Sequence, residues 1–158
     1  MNMNDNHRFY PVFLNLSGRF CLVAGGGAVA WRKITGLLES GARVLVVAPE
    51  PGSEVQEAAA AGRLEIRRRS FQAGDLDGVF LVYAATDDAG TNARILELAR
   101  ERGILAAAVD GNWRAGDFLT PARFHHAGVT VAVSSHGVSC CRSRDVKNEL
   151  ERYLVEND

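Results

Sequence analysis

Residues Phe20-Cys21-Leu22-Val23-Ala24 form an unbroken apolar run that ends in Gly25-Gly26-Gly27. Such a short run without alternation predicts a strand covered on both faces. Beyond the glycines the period changes: Ala30, Ile34, Leu37 and Leu38 share one helical face, and Gly41 supplies the stop. The pattern then repeats. Val44-Leu45-Val46-Val47-Ala48 reads as a second buried strand broken by Pro49 and Pro51, the alanine-rich stretch 54–61 as a short helix, and Leu64-Glu65-Ile66 as a third strand. Val79-Phe80-Leu81-Val82-Tyr83-Ala84 is the fourth. It leads into Thr86-Asp87-Asp88, where a carboxylate can cap a helix through Asn92, Ile95, Leu96, Ala99 and Arg102. Residues 104–109 form the fifth strand.

Strands alternating this regularly with helices predict an α/β fold, a Rossmann-type doubly wound parallel sheet. From Asp117 the pattern differs. Residues 118–124 and 129–135 read as a strand pair around a turn at His125-His126-Ala127-Gly128, followed by a charged helix over about 142–154. The expected division is a dinucleotide-binding domain over residues 1–112 and a short C-terminal α/β tail over 113–158. So small a tail is not stable alone, which predicts that it packs against the same tail of a second chain in a homodimer.

Composition narrows the classes. The 158 residues are 47% hydrophobic and 23% charged with a formal net charge of -1, so the balance points to a globular chain and supplies no reason to expect nucleic acid as a partner. No apolar stretch is long enough to span a bilayer, and the polar residues 1–8 lack a signal-peptide apolar region; the expectation is a cytoplasmic protein without a membrane partner. Three cysteines make a disulfide framework unexpected. Cys21 reads as core. Cys140 and Cys141 lack the gap that lets two thiolates converge on zinc and read as packing at a helix start, so no metal is expected.

Gly25-Gly26-Gly27-Ala28-Val29-Ala30 fits G-x-G-x-x-A between strand and helix. Gly25 permits the tight turn, Gly27 lets a pyrophosphate approach the backbone, and Ala30 lets helix and sheet pack closely. The pyrophosphate would rest on the free amides of the helix start, Ala28 and Val29 included. A ribose-binding acid is expected about 20 residues on. Glu50, just past Pro49, stands there with no arginine directly after it, which favours NAD over NADP. Thr86 and Asp87, at the end of the fourth strand, border the same crevice. Asp110 is the first ionisable group after the fifth strand and emerges at the sheet edge where ligands of open α/β sheets bind. It could accept a proton, orient a substrate N–H, or cap the Gly111-Asn112 loop.

These residues in order resemble the precorrin-2 dehydrogenase family, which includes the amino-terminal module of siroheme synthases. The resemblance runs through Tyr10-Pro11-Val12-Phe13-Leu14-Asn15-Leu16, the glycine turn to Lys33, Val47-Ala48-Pro49-Glu50, Ala84-Ala85-Thr86-Asp87-Asp88 with Asn92, Val109-Asp110, Asp117-Phe118, and Val131 to Ser135 with Gly137 and Ser139. It implies a homodimer with NAD as hydride acceptor and a tetrapyrrole substrate, oxidised from precorrin-2 to sirohydrochlorin. It also implies Asp110 as the essential aspartate and Ser135 as the counterpart of a serine phosphorylated in some relatives. The chain departs from the family at Ala107, His136 and Cys140, where asparagine, glycine and proline are usual, and relatives usually continue beyond Asp158.

A carboxylate-rich substrate calls for basic partners. Arg114, Arg123, His125, His126, Arg142, Arg144 and Lys147 would border the cleft, with Arg114, Arg123 and Ser135 as substrate-binding candidates. Arg67-Arg68-Arg69 reads instead as the solvated end of the third strand. Two further functions fit the same residues: dehydrogenation combined with ferrous iron insertion, and a regulatory module that senses NAD without catalysis.

Overall fold

In the computed structural model, which describes residues 9–157, β1 (Phe20–Ala24) is the central strand of a five-stranded sheet. The other strands are β2 (Arg43–Val47), β3 (Glu65–Arg67), β4 (Leu81–Ala84) and β5 (Leu105–Ala108), in the order β3-β2-β1-β4-β5 with every pairing parallel. The signal-peptide reading of residues 1–8 lies outside the described residues.

This order is the doubly wound one, with its switch point where β1 meets β4. Side chains alternate across β1: Cys21 and Val23 join a layer with Ile34 and Leu37 of α1 (Ala28–Glu39) and Val55 of α2 (Ser53–Ala60). Leu22 and Ala24 join the opposite layer with Ile95, Leu96 and Ala99 of α3 (Ala89–Glu101). Both faces are therefore covered, which is why the strands read as continuous apolar runs. Of the stripes expected on α1 and α3, Ala30, Ile34 and Leu37 and then Asn92, Ile95, Leu96 and Ala99 are buried, whereas Leu38 is half-buried and Arg102 is exposed at the C-cap of α3. Cys21 is fully buried, and burial pushes its thiol up to about 11.

The open edge of β5 is closed by a loop. Ala106 N donates to the Asp117 carboxylate at 2.9 Å, and Asp117 N donates to Ala106 O at 2.7 Å, so one residue pairs with the strand twice. Phe118 next sends its ring edge-on to Tyr83, centroids 5.4 Å apart. It is therefore part of the sheet's core and not the start of the next strand, a correction to the expected strand over 118–124.

The chain divides into two compact units, one of Val12–Phe118 and one formed by the described parts of Met1–Pro11 and Leu119–Asp158. The second contains β6 (Ala122–His126) and β7 (Val129–Val133), an antiparallel pair, with α4 (Cys140–Glu156) packed across both. The turn is shorter than expected. His125 and His126 lie in β6, paired with Thr130 and Val129, and Ala127 and Gly128 make the whole connection with positive φ of 46° and 77°. Positive φ at both central residues matches the strand twist in a two-residue hairpin. Ser139 accepts a hydrogen bond from Arg142 N at 3.1 Å and caps α4, so the helix starts at Cys140, two residues before the expected boundary. Cys140 and Cys141 do stand at the helix start, but exposed and without the packing expected of them.

Candidate active site

Because all five strands are parallel, the segments that follow them emerge at one edge. Gly25 N donates to Val47 O at 2.9 Å, Ala85 N to Ala24 O at 2.7 Å, and Val109 N to Ala84 O at 3.1 Å. The backbone therefore carries the register of the sheet into the loops that hold Gly25 to Val29, Pro49 and Glu50, Thr86 and Asp87, and Asp110.

The three glycines have different reasons. Gly25 has φ +122°, and a Cβ there would lie 2.1 Å from Ala85 O, so the turn excludes any side chain. At Gly26 a Cβ would come within 2.7 Å of Pro51 Cα, and the Gly26 carbonyl accepts from Gly52 N at 2.8 Å. Gly27 has no such neighbour: a Cβ would meet nothing within 4 Å. Its backbone is the N-cap of α1, where no side chain caps the helix and the first turn holds no acid. Gly27, Ala28 and Val29 are exposed. No side chain caps the amides of this helix start, and the space above Gly27 is clear, a geometry that can receive an anion. The start of α3 is closed by contrast, since the Asp88 carboxylate accepts from Thr91 N at 2.7 Å.

Glu50 is exposed in the loop beyond β2. On the neighbouring strand end the arginine run is not simply solvated as expected: Arg69 grips the Asp75 carboxylate at 2.6 and 2.8 Å, Arg67 adds a further bond, and Arg68 reaches Gln56 at 3.1 Å. Asp75 is only 2% exposed. Burial alone would raise its carboxyl, but the hydrogen bonds from Arg69, Gln72 N and Arg67 outweigh it and hold the group at about 2.

Asp110 is half-buried and held at both oxygens. Oδ2 accepts from Asn92 Nδ2 at 2.9 Å and Oδ1 from Asn112 N at 2.9 Å. The second bond is the loop cap weighed from the sequence, and the first ties Asp110 to α3. Asn92 is 1% exposed and also meets Thr86, taking hydrogen bonds from its N–H at 3.0 Å and its hydroxyl at 2.7 Å and donating to its carbonyl at 3.0 Å. In the sequence Asn92 reads as one more helix position and as part of the family resemblance, with no role assigned to it. The signal for its role is a polar residue in the stripe of Ile95, Leu96 and Ala99. Asp87 is exposed between Thr86 and the capping Asp88.

The substrate-binding candidates are divided. Arg114 lies in the sheet unit, its guanidinium 4.9 Å from the Trp113 ring centroid, whereas Arg123 on β6 and Ser135 belong to the tail unit. The Ser135 hydroxyl donates to Ser139 O at 2.8 Å, accepts from Ser139 N at 2.9 Å and lies 3.0 Å from the Ser143 hydroxyl, so it braces the start of α4. His136 has φ 55°, a left-handed conformation that explains why glycine is usual there, and its Nδ1 accepts from Phe9 N at 3.1 Å. The remaining basic residues of the tail are not one cluster: Arg144 pairs with Asp145 at 3.3 Å and Lys147 with Glu151 at 2.8 Å. Among the described residues no group of three or more His, Cys, Asp or Glu could hold a metal ion, and no helix is long and apolar enough to cross a membrane.

The chain as a whole is similar to known proteins. Residues 12–122 match the family NAD_binding_7, described as "Putative NAD(P)-binding". The siroheme synthase of Nitrosococcus oceani is 39% identical over 149 residues, covering 94% of this chain and 32% of that protein. That of Photorhabdus laumondii is 42% identical over 146 residues, covering 92% and 31%. The chain thus spans about a third of the length of these curated relatives. The solved structure of "SirC, precorrin-2 dehydrogenase" superposes with a TM-score of 0.80 at 32% identity over 92% of this chain and 71% of that one. Its nucleotide-binding sheet and its match along the chain make this protein a member of the NAD(P)-binding precorrin-2 dehydrogenase family.

Proposed function

We propose that this chain oxidises precorrin-2 to sirohydrochlorin with NAD as the acceptor, on the route to siroheme. The observation that carries the reading is the meeting, at one sheet edge, of an uncapped helix start with clear space at Gly27 and a carboxylate at Asp110 held by two donors. The likeness to a solved precorrin-2 dehydrogenase supports the substrate, and the siroheme synthases support its destination.

The residues present fit a dinucleotide. Gly25 and Gly26 shape the turn, and Gly27, Ala28 and Val29 offer amides to the pyrophosphate. Pro49 and Glu50 border the adenosine ribose, and Thr86 and Asp87 border the crevice beside β4. Two features favour NAD over NADP: the exposed Glu50 carboxylate would repel a 2′-phosphate, and the arginines of the adjacent strand end are engaged by Asp75 and Gln56. NAD, when bound, supplies a hydride acceptor. The substrate loses two hydrogens, one as hydride and one as a proton, and Asp110 takes the proton on a lone pair that its two donors leave open. Arg114, in the same unit as Asp110, pairs with a substrate carboxylate.

We further assign the tail a homodimer contact and the protein to the cytoplasm, where exposed thiols such as Cys140 and Cys141 stay reduced. Anaerobic incubation with precorrin-2 and NAD tests the reading. NADH and sirohydrochlorin should appear together in equal amounts. NAD binding without turnover would mean a sensor instead, and siroheme on addition of ferrous iron would add chelation. Asp110→Asn should keep NAD affinity while lowering turnover at saturating NAD by roughly 10²- to 10⁴-fold, the usual worth of a general base. Near wild-type turnover in that variant would remove Asp110 from the chemistry.

A further inference from the structure

We infer that Asn92 is a positioning residue that locks Thr86 and Asp110 into one rigid polar unit across the ends of β4 and β5. The inference rests on the reading of Asp110 as the proton acceptor and adds to it the group that fixes its orientation.

An asparagine amide has two N–H donors and one carbonyl with two lone pairs. In Asn92 all four are used. The donors go to Thr86 O at 3.0 Å and Asp110 Oδ2 at 2.9 Å, and the lone pairs accept from Thr86 N at 3.0 Å and Thr86 Oγ1 at 2.7 Å. Any rotation of the amide would break several bonds at once in a site that is 1% exposed. Asparagine is a poor helix former, and here it sits buried in the first turn of α3 beside the apolar stripe of Ile95, Leu96 and Ala99, so helix formation does not account for it. What the residue does instead is to place a hydrogen-bond donor against one face of the Asp110 carboxylate, with Asn112 N at the other oxygen. The carboxylate plane is thereby set before substrate arrives. Thr86 is fixed by the same amide, so the two strand ends keep their separation. A displacement of about 1 Å at such a group can cost around 10²-fold in rate.

Other charges on the segments bordering Asp110 do not take over this role. The Asp88 carboxylate is spent on Thr91 N and Oγ1, Asp87 is exposed on the loop after β4, and Arg114 lies over Trp113.

Asn92→Asp is the decisive variant. It keeps the shape and the acceptor toward Thr86 N and Oγ1 but replaces the donor with an oxygen that faces both Asp110 Oδ2 and Thr86 O. Only a proton shared by the two carboxylates restores a donor, so the pair should titrate as a coupled unit with its upper step above that of Asp110 in the wild type. Turnover should fall at least tenfold at neutral pH and recover as pH is lowered through that step. A wild-type pH profile with turnover within twofold would overturn the inference. Asn92→Ala, a good helix former, covers the case in which the acidic variant does not fold. It should lose about 10- to 100-fold in kcat with a smaller change in KM at temperatures well below its unfolding transition; unchanged kcat would overturn the inference equally. A carboxyl ¹³C NMR titration of Asp110, which needs no substrate, separates this from the functional reading. If the wild type fails to oxidise precorrin-2 while the upper step still rises in Asn92→Asp, the coupling holds and the function does not. An unmoved titration sinks the coupling whatever the activity.

Discussion

The sheet unit and the tail unit bury their surfaces in different ways. Around β1, side chains on both faces of the strand are sealed, with Leu22, Val23, Ile34, Leu45 and Ile95 at or below 1% exposure. In the tail the only buried hydrophobic among the described residues is Phe124, at 5%. Val146, Leu150 and Tyr153 follow one face of α4 yet stay 36%, 40% and 63% exposed, and Val129 on β7 is 58% exposed. The self-covered parallel sheet leaves no slack for a side chain at Gly25 or Gly26. A hairpin under one helix has apolar surface to spare, which is what supports the reading of a homodimer contact.

The glycine turn is where the sealed unit breaks most easily. Gly25→Val meets a backbone carbonyl at 2.1 Å in a conformation that L side chains rarely adopt, so the expected cost exceeds about 4 kcal/mol and the sheet unit should not fold, as circular dichroism would show. Two residues on, Gly27→Leu points into open space and should leave thermal unfolding nearly unchanged while abolishing NAD binding by calorimetry. Wild-type affinity in the folded Gly27→Leu protein would sink the cofactor loop.

The tail should respond the other way, in association before fold. Leu150→Glu with Tyr153→Glu should remove roughly 1.5–3 kcal/mol of apolar burial per protomer, because 40% and 63% of these side chains are left to cover, and weaken dimerisation a hundredfold or more, read by light scattering, with the sheet unit's spectrum intact. A wild-type chain that runs as a 17.1 kDa monomer at micromolar concentration would refute the contact outright.

The smallest expected effect lies at the sheet's polar margin. Asp75 is held at about 2, below the unfolded value near 3.9, so its contribution is complete above about pH 4 and is lost as pH falls toward 2. Asp75→Asn should therefore cost about 1–2 kcal/mol at pH 7, allowing for screening through the partly exposed arginines, and almost nothing near pH 2. Denaturant unfolding across that range checks it; a difference that persists undiminished at pH 2 would mean that packing rather than charge is lost.

The sequence by itself determined the parallel sheet, the helix faces, the glycine turn and the strand ends that carry Glu50, Thr86 and Asp110. Each of these follows from a local period or a fixed offset, which the backbone geometry of strand and helix imposes without reference to the rest of the chain. The two-residue turn at Ala127-Gly128 was blurred, because the histidines before it carry no strand signal of their own and their pairing with β7 fixes them in place. The seat of Phe118 on Tyr83, the grip of Arg67 and Arg69 on Asp75 and the bridge from Asn92 to both Thr86 and Asp110 were decided only by the tertiary structure. Phe118 with Tyr83 and Asn92 with Asp110 join separate elements, and even the shorter-range pairs follow no helical or strand period; their energy comes from burial and from satisfying polar groups away from water, which exist only once the sheet has brought its strand ends together.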